Sequence, residues 1–249
     1  MKRIFFLGDI HGRYKTILDF IKDNDIKDAI IISVGDFGLG FKSFKKDQKE
    51  LSMYHNILIK NNVIVYVIRG NHDKPQYFEN DPFGFSNIKL LNDYTVLNIN
   101  DINILCVGGA TSTDRYDRYN KYHKKGIYDH FTDNDTWWKD EVFKYDSNKI
   151  NSFKNIDVVV THNTTNYCFP LLIDSFSNYI HKKVNEGDSN LITDLIAERN
   201  LITNMFDILK ENNDIKYHFY GHYHKSNKDF IGDTRHICLD IDEFYELNV

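Results

Sequence analysis

Apolar and polar positions recur along the chain with two periods, which predict strands and helices in turn. Short runs rich in β-branched and aromatic residues predict strands at Arg3–Leu7, Ala29–Val34, Val63–Ile68, Ile102–Val107, Ile156–Val160 and Tyr217–Tyr220. Between them, apolar residues three and four positions apart predict helices at Tyr14–Lys22 and Phe44–Lys60, and a long helix after Asp188 as its N-cap. Because strands and helices alternate over the N-terminal part of the chain, the pattern predicts βαβ units, as in α/β proteins.

The middle of the chain follows a different pattern. Short strands predicted at Ile88–Leu91, Thr95–Ile99 and Ile102–Val107 are joined by Asn-Asp turns, which favours an antiparallel meander. Near the C-terminus, the sequence Ile-Gly-Asp-Thr at 231–234 predicts a hairpin turn. Two long polar segments, near 110–149 and 163–188, are predicted to be functional loops or small helical insertions. With no repeat and no linker, we expect one domain over residues 1–249.

Composition and charge narrow the class of protein. The chain has 249 residues and a net charge of −5, and this acidic balance argues against a nucleic-acid partner. No apolar run approaches the ~20 residues that span a bilayer, and no secretory leader is evident, so we expect a cytoplasmic protein without a membrane partner. Three widely spaced cysteines, Cys106, Cys168 and Cys238, are expected to be reduced and structural. The sequence leaves the oligomeric state open.

Residues suited to catalysis or metal binding are concentrated in five segments that lie where predicted strands end. They are Gly8-Asp9-Ile10-His11-Gly12, Gly35-Asp36-Phe37-Gly38, Gly70-Asn71-His72-Asp73, Thr161-His162-Asn163 and Gly221-His222-Tyr223-His224. In α/β sheets the strand ends converge on one crevice, so segments far apart in sequence can meet. Carboxylates, imidazoles and an Asn amide form a mixed oxygen and nitrogen donor set, which suits Mn, Fe, Zn or Ni.

The pairs Asp9/His11 and His222/His224 have the same spacing, two residues apart. In an extended chain these side chains project to the same side, so Asp9 and His11 are expected to bind one ion together. Asp36 has no such partner, and a single central carboxylate is suited to bridging two metals.

The order Asp-x-His, Gly-Asp, Gly-Asn-His-Asp, His and Gly-His-x-His resembles the calcineurin-like metallophosphoesterase superfamily, over most of the chain from Asp9 to His224. The resemblance implies an α/β fold, a four-layer sandwich of two mixed β-sheets flanked by α-helices. It also implies two divalent ions, with manganese expected first and Fe, Zn, Ni or Mg as alternatives. A softer similarity, in a Trp-Trp loop after a Gly-Gly strand end, links the chain to small phosphoesterases of bacterial and phage type.

The resemblance assigns a role to each candidate residue. One metal would be held by Asp9, His11, Asp36 and His224, and the other by Asp36, Asn71, His162 and His222. His72 would face the substrate phosphate, with Asp73 orienting its ring. The implied reaction is hydrolysis of a phosphomonoester or phosphodiester, with a nucleotide as one candidate substrate, by in-line attack of a hydroxide that bridges the two metals.

Residues outside the metal pattern leave alternatives open. Arg115 and Arg118 follow another strand end and are candidates to clamp a substrate phosphate, or they belong to a solvated loop. Trp137 and Trp138 suit either stacking on a base or anchoring of the loop, and we favour anchoring.

The segment after Asp36 reads Phe-Gly-Leu-Gly-Phe and lacks the Arg of phosphoprotein phosphatases and diadenosine-tetraphosphate hydrolases, which counts against both subfamilies. A serine/threonine-type protein phosphatase, a nuclease and a non-catalytic scaffold with this fold remain the alternative functions.

Overall fold

The computed structural model describes residues 1–123, 137–168, 170 and 174–248. The described strands are β1 (Arg3–Leu7), β2 (Ala29–Ser33), β3 (Ile64–Val67), β4 (Ile88–Leu90), β5 (Thr95–Ile99), β6 (Ile102–Val107), β7 (Val158–Thr161), β8 (Tyr217–Tyr220), β9 (Asn227–Ile231), β10 (Thr234–Cys238) and β11 (Phe244–Glu246). The described helices are α1 (Lys15–Asp23), α2 (Phe44–Lys60), α3 (Pro75–Asn80), α4 (Arg115–His123), α5 (Ser147–Ser152), α6 (Asp174–Glu186) and α7 (Leu191–Asn212). Among these, no helix is both long enough and apolar enough to cross a membrane.

The strands form two mixed sheets. In the five-stranded sheet, ordered β11-β1-β2-β3-β4, only β11 runs antiparallel to its neighbour. The six-stranded sheet is ordered β5-β6-β7-β8-β10-β9 and is parallel in its centre, with an antiparallel strand at each edge. The hairpin predicted at residues 231–234 joins β9 to β10, as expected.

Three apolar cores separate four layers of structure. Side chains alternate along β1, so that Phe5 and Leu7 pack under α1 and α2 while Ile4 and Phe6 face the second sheet. Between the sheets, the ring of Phe6 stacks on that of Phe219 with centroids 3.7 Å apart. The outer face of the second sheet packs on α5 and α7. The predicted four-layer α/β sandwich of two mixed sheets is therefore confirmed.

Two local predictions are wrong. β4 does not join β5 and β6 in a meander: it pairs parallel to β3 in the first sheet, where Ile88 and Leu90 complete the core under the helices. Asn-Asp turns mark where strands end, but they do not specify which sheet the next strand enters. The long helix begins at Leu191, with Asn190 rather than Asp188 at the N-cap position.

The buried side chain of Arg69 fixes the segment that leads out of β3. The Arg69 guanidinium, with a side chain only 3% exposed, donates to both carboxylate oxygens of Asp93 at 2.7–3.2 Å. It also donates to the carbonyl oxygens of Glu141 and Val142, at 2.7 and 2.9 Å. This one side chain thereby ties β3 to the turn before β5 and to the chain that precedes α5.

Arg69→Met should lower the free energy of unfolding by about 3–5 kcal/mol, because it leaves a partly buried carboxylate and several carbonyl oxygens without the Arg69 donor. Urea denaturation of metal-free protein measures the loss. The matched control is Arg3→Met, which removes an exposed pair with Glu246 and should cost at most about 1 kcal/mol. Equal losses in the two variants would contradict this role for Arg69.

Candidate metal centre

The predicted metal ligands come together at one edge of the sandwich. Asp9 and His11 follow β1, Asp36 follows β2, and Asn71 follows β3, all in the first sheet. The second sheet supplies His162 after β7, and His222 and His224 after β8. Because parallel strands end at the same edge of a sheet, the two sheets together present these side chains to one crevice.

The first group consists of Asp9, His11, Asp36 and His224, whose donor atoms all lie within 4.8 Å of one another. The Nε2 atoms of His11 and His224 are 3.0 Å apart, and His224 Nε2 is 3.3 Å from Asp9 Oδ2. Asp36 Oδ2 lies 3.9 Å from His11 Nε2. His224 is the exposed member of the group and Asp9 is buried, so the group opens to solvent on one side.

The second group lies deeper and shares Asp36 with the first. His162 Nε2 is 3.1 Å from Asp36 Oδ1 and 3.0 Å from Asn71 Oδ1. The ring of His222 lies 5.1 Å from that of His162. His162 Nδ1 donates to the carbonyl oxygen of Val34 at 2.8 Å, which leaves the Nε2 lone pair of a neutral ring pointing into the site.

The backbone of this centre is strained in a way that the sequence did not reveal. His11, Asp36, His222 and His224 all have left-handed φ values, between 46° and 69°. Such conformations cost non-glycine residues about 1–3 kcal/mol each and concentrate at functional sites. Asp9 and His11 do meet, but through this turned backbone and not through the extended geometry that their spacing suggested.

One glycine is required by close approach. A Cβ atom on Gly70 would collide with the carboxylate and backbone of Asp36. The segment after β3 can therefore lie against Asp36 only with glycine at this position, and the approach brings Asn71 into the site.

The electrostatics of the centre require positive charge. Asp9 Oδ1 is buried without a hydrogen-bond partner, and two acceptor oxygens converge on His162 Nε2. Burial lowers the pKa of His162, but the Asp36 carboxylate and its other partners raise it to about 10, so that in the absence of a cation a proton takes its place. The donor set and these converging lone pairs fit divalent metal ions.

His72 lies beside the two groups. Its backbone N–H donates to Asp36 Oδ1 at 2.7 Å, while its ring stacks on Phe41 with centroids 5.3 Å apart. The ring also meets His11 edge to face at 5.0 Å. Burial lowers the pKa of His72, and the nearby Arg118 charge adds to this effect while Asp36 opposes it. The His72 side chain is therefore positioned at the centre by the hydrogen bond of its backbone N–H and by the ring of Phe41.

The carboxylate of Asp73 contacts the backbone of two loops at the centre. Its two oxygens accept hydrogen bonds from the backbone N–H groups of Phe37, Gly38, Leu39 and Gly70, at 2.8–3.0 Å. These four donors use the acceptor capacity of the carboxylate. Asp73 therefore holds the loops after β2 and β3 together.

The two candidate substrate arginines have different surroundings. Arg118 is buried beside the centre, where it contacts Ser112 and Asp114 and lies 3.4 Å from the Asn71 carbonyl oxygen. Arg115 pairs with Asp188 and Asp194 at 2.6–2.7 Å, and none of its described partners is a predicted metal ligand.

The two tryptophans also have different surroundings. Trp138 is buried and packs edge to face on Phe41, as expected of a residue that anchors the loop. Trp137 contacts Tyr119 and lines a cavity of about 540 Å³ together with Arg115.

Sequence reasoning missed the residues that support the candidate ligands. Glu198, buried in α7, accepts hydrogen bonds from Thr111, Phe143 and Asn163 and so fixes the residue next to His162. Its position on the apolar stripe of the helix, four residues before Ile202, was a usable signal. Ile196, an apolar residue of the same helix, is by contrast 46% exposed.

Ser112→Ala should weaken metal binding about 10–100-fold, the range for removal of a partner that orients a ligand. The Ser112 hydroxyl accepts from Asn71 Nδ2 at 2.9 Å and thereby turns Asn71 Oδ1 toward His162. Competition with a chelator measures the affinity. Ser52→Ala, at an exposed position on α2, serves as the control, and an unchanged affinity in Ser112→Ala would contradict the orienting role.

Comparison with known proteins gives one family match. A family model described as calcineurin-like phosphoesterase matches residues 2–226. A dimetal phosphatase from Danio rerio aligns with 97% of this chain and 88% of its own, at 9% identity and a TM-score of 0.56. A phosphopantetheinyl hydrolase from Mycobacterium tuberculosis aligns with 96% of this chain and 90% of its own, at 11% identity and a TM-score of 0.44. No curated protein has significant sequence similarity to the chain.

Proposed function

This chain belongs to the calcineurin-like phosphoesterase family, and from that premise we propose that it is a phosphoric ester hydrolase with two divalent metal ions. The proposed substrate is a phosphomonoester or a phosphodiester, and a small nucleotide is one candidate. The observation that carries the proposal is the position of Asp36, which has one oxygen 3.1 Å from His162 and the other 3.9 Å from His11. A carboxylate so placed is suited to bridging two ions.

The two groups would hold one ion each. Asp9, His11 and His224 would bind the more exposed ion, Asn71, His162 and His222 the deeper one, and Asp36 both. When bound, such ions supply an activated water and neutralise the phosphoryl oxygens. Manganese is our first expectation for their identity, with Fe, Zn, Ni and Mg as alternatives.

Side chains beside the metal ions would protonate the leaving group and bind the substrate phosphate. His72, held by its backbone N–H and by Phe41, would donate a proton to the leaving oxygen of the ester or stabilise its charge. Arg118 would add positive charge at the same side of the crevice, within reach of a substrate phosphate. For Arg115, the pairing with Asp188 and Asp194 supports a role in holding α4 to α7 instead of phosphate binding.

Metal-dependent hydrolysis tests the proposal directly. Metal-stripped protein is titrated with Mn²⁺ and assayed on a generic phosphomonoester, a generic phosphodiester and a phosphopeptide. We expect activity to appear on at least one of the two simple esters as metal is added. Metal binding without turnover on any substrate would favour the scaffold alternative, and turnover of the phosphopeptide alone would favour a protein phosphatase.

A further inference from the structure

A second cluster of metal-ligand side chains lies inside the fold, apart from the candidate metal centre. Cys168, His218 and His236 are all buried, and each offers a donor atom within 4.8 Å of the others. His218 and His236 are neighbours in register on the parallel strands β8 and β10, and Cys168 reaches them from the chain that follows His162.

The hydrogen bonds around His218 decide which of its nitrogens is free. The hydroxyl of Thr161 donates to the carbonyl oxygen of Asn163, so its oxygen must accept from His218 Nε2, 2.7 Å away. His218 Nδ1 therefore carries a lone pair, and it faces His236 Nδ1 at 2.9 Å. Cys168 Sγ lies 3.3 Å from that same His236 nitrogen.

The environment keeps the imidazoles in the form that binds metals. Burial lowers the pKa of His218 and, more than any other cause, lowers the pKa of His236 to about 4, so that both rings are neutral at physiological pH. The hydroxyls of Thr164 and Thr165 lie 3.1 and 2.9 Å from Cys168 Sγ, where they can donate to a thiolate.

We propose that Cys168, His218 and His236 bind one thiophilic metal ion, Zn²⁺ or Cu⁺, at a structural site. One thiolate and two imidazoles are a donor set that selects such ions over Mn²⁺ or Mg²⁺. On binding, the ion displaces the thiol proton of Cys168, which passes to solvent, and no oxidation or reduction is involved.

This ion would fix the loop that begins at His162. Cys168 lies six residues after His162, and Thr161, next to His162, is hydrogen-bonded to His218. The site would therefore tie one ligand of the catalytic centre to β8 and β10. It does not depend on the proposed hydrolase activity, because the two clusters share no ligand.

Cobalt spectroscopy tests the site on the intact chain. Protein is produced in cobalt-supplemented medium, so that the ion can enter as the chain folds, and its near-ultraviolet spectrum is recorded. We expect a sulfur-to-cobalt charge-transfer band, which the candidate metal centre cannot give because it contains no thiolate. The absence of this band from the wild-type protein would overturn the proposal. The short contact between the two imidazoles would then be a hydrogen bond that needs no metal ion.

Matched variants assign the band to its ligand. Cys168→Ser should lose the band and bind one equivalent of metal less, and His236→Gln provides a second variant should the first fail to fold. Cys238→Ser, at a buried cysteine outside the cluster, and Asp36→Asn should both keep the band. A band that survives in Cys168→Ser, or that disappears in Cys238→Ser instead, would overturn the assignment. The metal content of protein from standard medium then distinguishes zinc from copper.

Discussion

His72→Ala should lower kcat by about 10²–10⁴ while the metal content of the protein stays unchanged, the range for loss of a general acid. The expectation follows from the position of the ring, which contacts Phe41 and His11 at the edge of the centre, whereas its backbone alone bonds to Asp36. Truncation of the side chain therefore removes the proposed proton donor without removing a proposed metal ligand.

The dependence on the leaving group separates proton donation from simple positioning. A nitrophenolate leaves without protonation, whereas an alkoxide needs a proton in the transition state. We therefore expect the loss in His72→Ala to be larger for an alkyl phosphate than for a nitrophenyl phosphate. Steady-state kinetics on both esters, with metal analysis of each protein preparation, give the comparison.

His55→Ala is the matched control for this variant. His55 lies on α2 and contacts Ser86 and Phe85, outside the crevice, so its replacement should leave the turnover number unchanged. A His72→Ala protein that loses metal together with activity, or that loses activity equally on both esters, would contradict the role of general acid.

The sequence predicted strands and helices well where the apolar pattern was strong and local. α2 and β8 have the predicted bounds, and β1 and β6 do as well, because each presents a continuous or alternating apolar face to a core. Sheet membership was harder, as β4 shows: strand partners are set by long-range packing of Ile88 and Leu90, which a local pattern does not contain.

The sequence predicted which side chains come together at the candidate site but not the geometry in which they meet. The sequence shows metal-binding residue types at the ends of predicted strands. It does not show the left-handed backbone of His11 and His224, because the neighbouring residues do not predict it. The sequence also did not predict the hydrogen bonds that hold the loops of the site in place. The carboxylate of Asp73 is engaged by four backbone amides from the loops after β2 and β3, a pattern that only the folded chain can bring together.

Asp36→Asn should bind metal at least about 10–100-fold more weakly than the wild-type protein, and hydrolysis should fall with it. That range is the loss of metal affinity when a residue that only orients a ligand is removed. Removal of a direct metal ligand should lower the affinity by more. Asp36 is buried at the junction of the two groups, so a neutral amide removes negative charge from both at once and offers one oxygen where two are used.

The fold should survive this change, which allows the metal effect to be isolated. Asn tolerates the left-handed backbone of Asp36, with φ of 48°, and its amide oxygen can still accept from the His72 N–H. Asp101→Asn is the matched control, an exposed aspartate with φ of 65° that lies outside the centre. Calorimetric titration with Mn²⁺ should give two equivalents for this control and fewer for Asp36→Asn. Two tightly bound equivalents in Asp36→Asn would show that the carboxylate does not bridge, since a bridging ligand cannot be neutralised without weakening both ions.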